Sequence, residues 1–154
     1  MYYLIAFFMG LAIALQAPIN AALARDLGGL SLMSALISFA IGTVCLAVLA
    51  YFSGLFNTEL FKSLAWQTWW KFLGGVLGAF FVFGTILLAP KIGLINMFLI
   101  ALLGQLITSM FLDSIGAFGL SVKAITWQKI VGFVIICVGL LIFFSRELNT
   151  AIKA

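Results

Sequence analysis

Residues 72–89 read FLGGVLGAFFVFGTILLA, an uncharged stretch closed by Lys71 before it and by Pro90 and Lys91 after it. Its apolar residues do not alternate with polar ones, as they would on a half-buried strand or a membrane barrel. A continuous apolar run of about twenty residues is what a helix needs to cross the hydrocarbon core of a bilayer. Hydrocarbon offers the backbone no hydrogen-bond partner, so a lone crossing segment closes its own bonds as a helix.

Four more runs of this kind lie on either side. The five expected spans are 2–24, 31–52, 66–89, 94–115 and 127–145, within a single transmembrane domain covering residues 1–154. The first stops at Arg25-Asp26-Leu27-Gly28-Gly29, the second at Ser53-Gly54, and the third at Pro90-Lys91. Between spans two and three the chain is wetter, and Asn57 or Thr58 can cap a short interfacial helix there. Thr126 caps the fifth span. Trp66, Trp69, Trp70 and Trp127 sit at span starts, where aromatic belts form. Ala22-Leu23-Ala24 resembles a leader cleavage site, but a basic leading region is missing and a second span follows at once, so the first run is read as a retained span.

Composition agrees. Hydrophobic residues make up 66% of the 154 and charged residues 8%, against about 25% charged in soluble domains. Lipid must therefore cover most of the surface. There is no histidine, and Cys45 and Cys137 lie singly inside apolar runs. No disulfide framework, metal set or cofactor motif is present, and no nucleophile stands beside a base, so enzyme chemistry is not expected. The net charge of +4 comes from basic residues scattered at span ends, which mark topology rather than nucleic-acid binding.

Five spans put the termini on opposite sides of the membrane. Lys62, Lys71, Lys123 and Lys129 then fall on the N-terminal side, and Arg25, Lys91, Arg146 and Lys153 on the other. Orientation follows the excess of basic residues on the cytoplasmic side, and here there is none. Two readings stay open: a coincidence in a small count, or copies that insert both ways up and pair as antiparallel dimers, the inverted two-fold scaffold of many transporters.

Polar residues inside spans face the bundle interior. Gln16 and Asn20, four apart, share a face of the first span. Pro18 between them removes a backbone donor and is expected to loosen or kink the helix near Ala14. These amides either contact a ligand or tie neighbouring helices together. Asn96 and Gln105 play the same part in the fourth span, where Gln105 reaches a depth similar to that of Gln16 from the same side. Ser34 and Ser38 in the second span are weaker candidates, because serine in a helix often bonds its own backbone. The expected substrate contacts are Gln16, Asn20, Ser38, Asn96 and Gln105. No charged residue lies deep in a span, and Asp113, about one turn from the end of the fourth, comes nearest. A fixed ionic partner for a substrate is thus unsupported, and a neutral or weakly charged small molecule fits better. Gly74 and Gly78, and Gly132 and Gly139, mark faces for helix or dimer packing.

The residues Leu15-Gln16-Ala17-Pro18-Ile19-Asn20, Leu36-Ile37-Ser38-Phe39-Ala40-Ile41-Gly42-Thr43, Trp69-Trp70 with Gly74-Gly75 and Gly78-Ala79-Phe80, Ala89-Pro90, and Gly104-Gln105 with Asp113 together resemble the YdcZ-type family, a five-span branch of the drug/metabolite transporter superfamily. The resemblance covers nearly the whole chain. It implies an all-α membrane protein of the bacterial inner membrane whose five helices assemble as an antiparallel ten-helix homodimer. It also implies a secondary transporter that works by alternating access, without cofactor, metal or nucleic acid. A passive channel or facilitator and a non-transporting assembly protein are the alternatives. The small multidrug resistance cousins carry a glutamate in the first span; Gln16 and Asn20 occupy that region here, so proton-coupled drug efflux does not carry over.

Overall fold

The computed structural model of the protein describes residues 1–145. Among them every regular element is helical: α1 (Tyr2–Asp26), α2 (Ser31–Phe52), α3 (Thr58–Ala65), α4 (Leu73–Ile92), α5 (Leu94–Ile115) and α6 (Trp127–Phe143). Short 3-10 turns lie at Trp69–Phe72 and Ala117–Gly119. Four segments are long and apolar enough to cross a membrane: Tyr2–Asp26, Ser31–Phe52, Trp69–Ile92 and Leu94–Ile115. The fifth apolar helix, α6, has 17 residues, or about 25 Å at 1.5 Å per residue. That sits at the short limit for a crossing helix.

The helix ends follow from local chemistry. After α1, Gly28 at φ +73° and Gly29 at φ +88° turn the chain. Gly29 N–H donates to Ala24 C=O at 2.8 Å and Gly28 N–H to Arg25 C=O at 3.0 Å, the paired bonds of a Schellman ending. α2 ends in the same way: Gly54, at φ +68°, donates to Tyr51 and Leu55 to Ala50, both at 3.0 Å. The expected cap of the interfacial helix is present too, since the Asn57 side chain accepts Leu60 N–H at 2.9 Å.

Three span boundaries differ from the sequence reading. The third span was expected to begin at Trp66, but Trp66 is the C-cap of α3. A turn stabilised by Gln67 Nε2 donating to Ser63 C=O at 3.1 Å precedes the helical run from Trp69. At its other end Pro90 lies inside α4, which continues to Ile92. Proline restricts the residue before it, yet its own locked φ is helical. The helix stops instead where Gly93 takes φ +84°. α6 likewise ends at Phe143, not Ser145.

The described residues form two compact units, Met1–Leu94 and a second that begins at Ile95. In the first, α1 packs on both α2 and α4, and α2 packs on α4. The face of α1 that makes this possible is Ala17, Asn20, Ala21 and Ala24, spaced as one helical stripe. Three of its four residues are alanines, which let helix axes approach closely in lipid. Ala24, Ala35, Val82 and Ile86 form the core, with Phe81 and Phe83 against it. In the second unit Gly116, at φ +60°, ends α5. The following loop folds back so that Lys123 N–H donates to Asp113 C=O at 2.9 Å.

Only 6% to 22% of the most apolar window of each spanning segment is buried within the chain. Large apolar side chains such as Phe7, Leu36, Val76, Phe80 and Phe111 are exposed. For a protein in water this would be untenable; here lipid or another protein surface covers them.

Candidate functional site

Among the described residues the buried polar side chains gather in the first unit: Asn20, Ser34 and Thr85. Asn20 is brought inside by the alanine stripe around it. Its side-chain amide Nδ2 donates to Ser38 Oγ at 3.2 Å. Ser34 Oγ donates to the main-chain oxygen of Asn20 at 2.7 Å. Serine in a helix usually bonds its own chain, and Thr85 does so, donating to Val82 C=O at 2.8 Å. Ser34 instead reaches across to α1, because it is wholly buried and the small α1 face brings that carbonyl close. Asn20, Ser34 and Ser38 thus tie α1 to α2 by two hydrogen bonds in a setting where unpaired polar groups are costly.

The tie lies where packing ends. Residues 2–16 of α1 are all exposed within the chain, and burial begins at Ala17. On α2 the buried residues are Ser34 and Ala35, in its first half. On α4 they are Val82, Thr85, Ile86 and Ala89, in its second half. The three helices therefore pack at the end where α1 turns into α2. Toward the opposite end their facing sides are uncovered. Gln16 stands at this boundary, one turn beyond Asn20 and exposed, with half-buried Pro18 between them. α1 passes through Pro18 as one helix. The Ala14 carbonyl lacks the i+4 amide partner that Pro18 cannot supply.

The structure thus joins two of the sequence-derived candidates directly, Asn20 and Ser38, and sets Gln16 one turn away. Asn96 and Gln105 lie in the second unit, half-buried and exposed respectively. α5 is unbroken between them, and nine residues at 3.6 per turn place them on opposite faces. Of the packing glycines, Gly78 lies under the Phe39 ring, where an added Cβ would sit 3.6 Å from Cζ. Gly74, Gly132 and Gly139 have open space where a Cβ would be. Sequence reasoning passed over Thr85, and rated Ser34 as a weak candidate. No pattern in one helix reveals a bond made across two.

The arrangement suits neutral polar recognition. Amide and hydroxyl groups both donate and accept, and none of the bonds that Asn20, Ser34 and Thr85 make here goes to a charged side chain. Among the described residues no group of three His, Cys, Asp or Glu is placed to hold a metal ion. Cys45 and Cys137 are free thiols.

Residues 1–142 match the model of the family described as "Putative inner membrane exporter, YdcZ". No curated protein and no solved structure matches the chain. The chain belongs to the YdcZ family of inner-membrane exporters, and is a multi-pass integral protein of the inner membrane.

Proposed function

We propose that this YdcZ-family protein is a secondary transporter of a small neutral or weakly charged metabolite, and that it works by alternating access as an antiparallel homodimer in which copies insert both ways up. Membership in an exporter family supports transport, not enzymatic catalysis, at the coarse level. The observation that carries the finer reading is the polar tie of Asn20, Ser34 and Ser38 at the edge of an otherwise apolar three-helix packing, with Gln16 exposed next to it. A buried polar group in a membrane helix marks a substrate path or a helix-to-helix bond, and this one has features of both. Asn20 and Ser38 hold α1 to α2, while Gln16 offers a free carboxamide toward the unpacked end.

In this reading substrate contacts are Gln16, Asn20 and Ser38 from the first unit and Asn96 and Gln105 from α5. The uncovered apolar faces of the single chain support assembly with an inverted second copy, as does the even split of basic residues between the two sides. Without a titrating carboxylate among these contacts, substrate recognition rests on hydrogen bonds and shape.

The test has two parts. Purified protein is first screened for metabolites that raise its melting temperature, since a ligand of the folded state stabilises it. The best ligand is then followed into proteoliposomes. Saturable flux is expected, reduced about tenfold or more by Gln16→Ala, whose exposed side chain has little bearing on stability. Flux that only equilibrates the substrate, with no concentrative uptake, indicates the passive channel or facilitator alternative. Absence of any flux with folded protein refutes transport. Reporters fused to the C-terminus should signal from both sides of the membrane, and signal from one side alone refutes dual insertion.

A further inference from the structure

A cleft of about 360 Å³ opens in the second unit, between α5 and α6. No Cα of α5 comes within 8 Å of one in α6, so the two helices leave a gap along their length instead of packing. The cleft carries two opposite charges, Asp113 from α5 and Lys129 from α6. Asp113 is in the last turn of α5, two residues before its end at Ile115, and Lys129 is in the first turn of α6. Both charges therefore belong at one membrane face, where the connecting loop lies.

These charges are not spent on each other. The ion pair present among the described residues is Lys62 with Glu59. The Asp113 carboxylate has no hydrogen-bond or ion-pair partner among the described residues. Lys129 Nζ makes one long bond, 3.5 Å, to Ala124 C=O, which leaves the ammonium with further donors to give. Away from the charges the cleft turns apolar. Leu106 and Met110 line it from α5, and Phe133 and Ile136 from α6. Leu106 lies seven residues from Asp113, and Ile136 seven from Lys129, so each apolar arm descends about 10 Å toward the membrane interior. Gly132 forms part of the wall and has open space where a side chain would begin.

We propose that this cleft is a binding site for one phospholipid of the phosphatidylethanolamine class. The head carries an ammonium and a phosphate, the complements of Asp113 and Lys129, and one acyl chain occupies the apolar arm beside Gly132. The carboxylate is what selects the head. It accepts hydrogen bonds from a primary ammonium, which a choline head cannot donate, and it repels a head that is only anionic. Lys129 holds the phosphate of any phospholipid and does not discriminate. The site is separate from the residues assigned to substrate, so it holds or fails independently of the transport reading.

The experiment uses the full-length protein, stripped of lipid in detergent and then offered dioleoyl phosphatidylethanolamine, phosphatidylcholine or phosphatidylglycerol. Bound lipid is counted by native mass spectrometry, and stability is followed by thermal shift. The expected order of retention is ethanolamine first, choline and glycerol lower. Asp113→Asn removes the preference for ethanolamine, and Lys129→Gln weakens retention of all three, each by about tenfold. Gly132→Leu fills the apolar arm without touching either charge and lowers ethanolamine-lipid retention by a similar factor. It serves as the independent variant should a charge substitution disturb folding. Equal retention of the three lipids by the unmodified protein overturns the proposal. So does ethanolamine-lipid retention that Asp113→Asn leaves unchanged. Loss of dimer on Gly132→Leu with lipid content unaltered would assign the cleft to a second copy of the chain, and also overturns it.

Discussion

Replacing Asn20 and Ser38 by alanine, singly and together, measures whether the bond that joins α1 to α2 is a structural tie of ordinary strength. The amide donates to the hydroxyl at 3.2 Å, a long neutral bond, and hydrogen bonds between membrane helices average about 0.6 kcal/mol. Asn20→Ala loses that bond together with the packing of a carboxamide 5% exposed, for a total of about 1–2 kcal/mol. Ser38→Ala costs about 0.6 kcal/mol, because the half-buried position leaves no cavity of consequence. In Asn20→Ala the Ser38 hydroxyl is not stranded, since it can turn to its own helix backbone. The double variant should therefore be less destabilised than the sum of the singles by about 0.6 kcal/mol, nearly a threefold effect on the unfolding equilibrium. The assay is reversible unfolding in mixed micelles on titration with dodecyl sulfate, read by helical circular dichroism. A coupling energy of zero within error would mean that the bond does not form in the folded protein. A coupling of about 2 kcal/mol or more would exceed the range for such bonds and place Asn20 in a larger polar network.

Four further outcomes are expected. Gly116→Ala should destabilise the protein by about 1–2 kcal/mol from its left-handed backbone alone. The new Cβ also meets Val122 Cγ2 at 2.7 Å and Leu120 O at 3.0 Å, so adding Val122→Ala should recover part of the loss in a thermal melt, and no recovery would refute the clash. Gly78→Leu should lower stability by forcing the Phe39 ring aside. Gly74→Leu, which meets nothing within the chain, should leave the fold intact and shift the oligomer distribution on size-exclusion chromatography if that face joins two copies. Asn57→Ala removes the side-chain acceptor of Leu60 N–H and should cost about 1 kcal/mol, seen as faster amide exchange confined to residues 58–61.

Much of the architecture was legible in the sequence because lipid enforces a simple rule. Each apolar run must close its own hydrogen bonds, so run length alone announces a helix. Gly28-Gly29 and Ser53-Gly54 announce its end, because glycine adopts the left-handed turn without a steric cost. Where local signals overlapped, the reading slipped. Trp66 looked like the start of a span but closes α3. Pro90 looked like a stop, yet α4 runs on to Gly93, since a proline's own φ is helical.

The sequence by itself determined the class of protein, the number of apolar helices, the absence of deep charge and the identity of the polar residues inside the spans. It could not determine which of those residues meet. Gln16 and Asn20 are equivalent by spacing, yet one is exposed and the other buried and bonded. The cause is tertiary. Alanines bring α1 against α2 and α4 only from Ala17 onward, so the packed region begins between the two amides. Asp113 and Lys129 likewise sit sixteen residues apart in sequence and share one cleft because α5 and α6 stand apart on either side of it. A helix periodicity records which side chains share a face. What that face meets depends on the neighbouring helix, and that is decided when the chain packs.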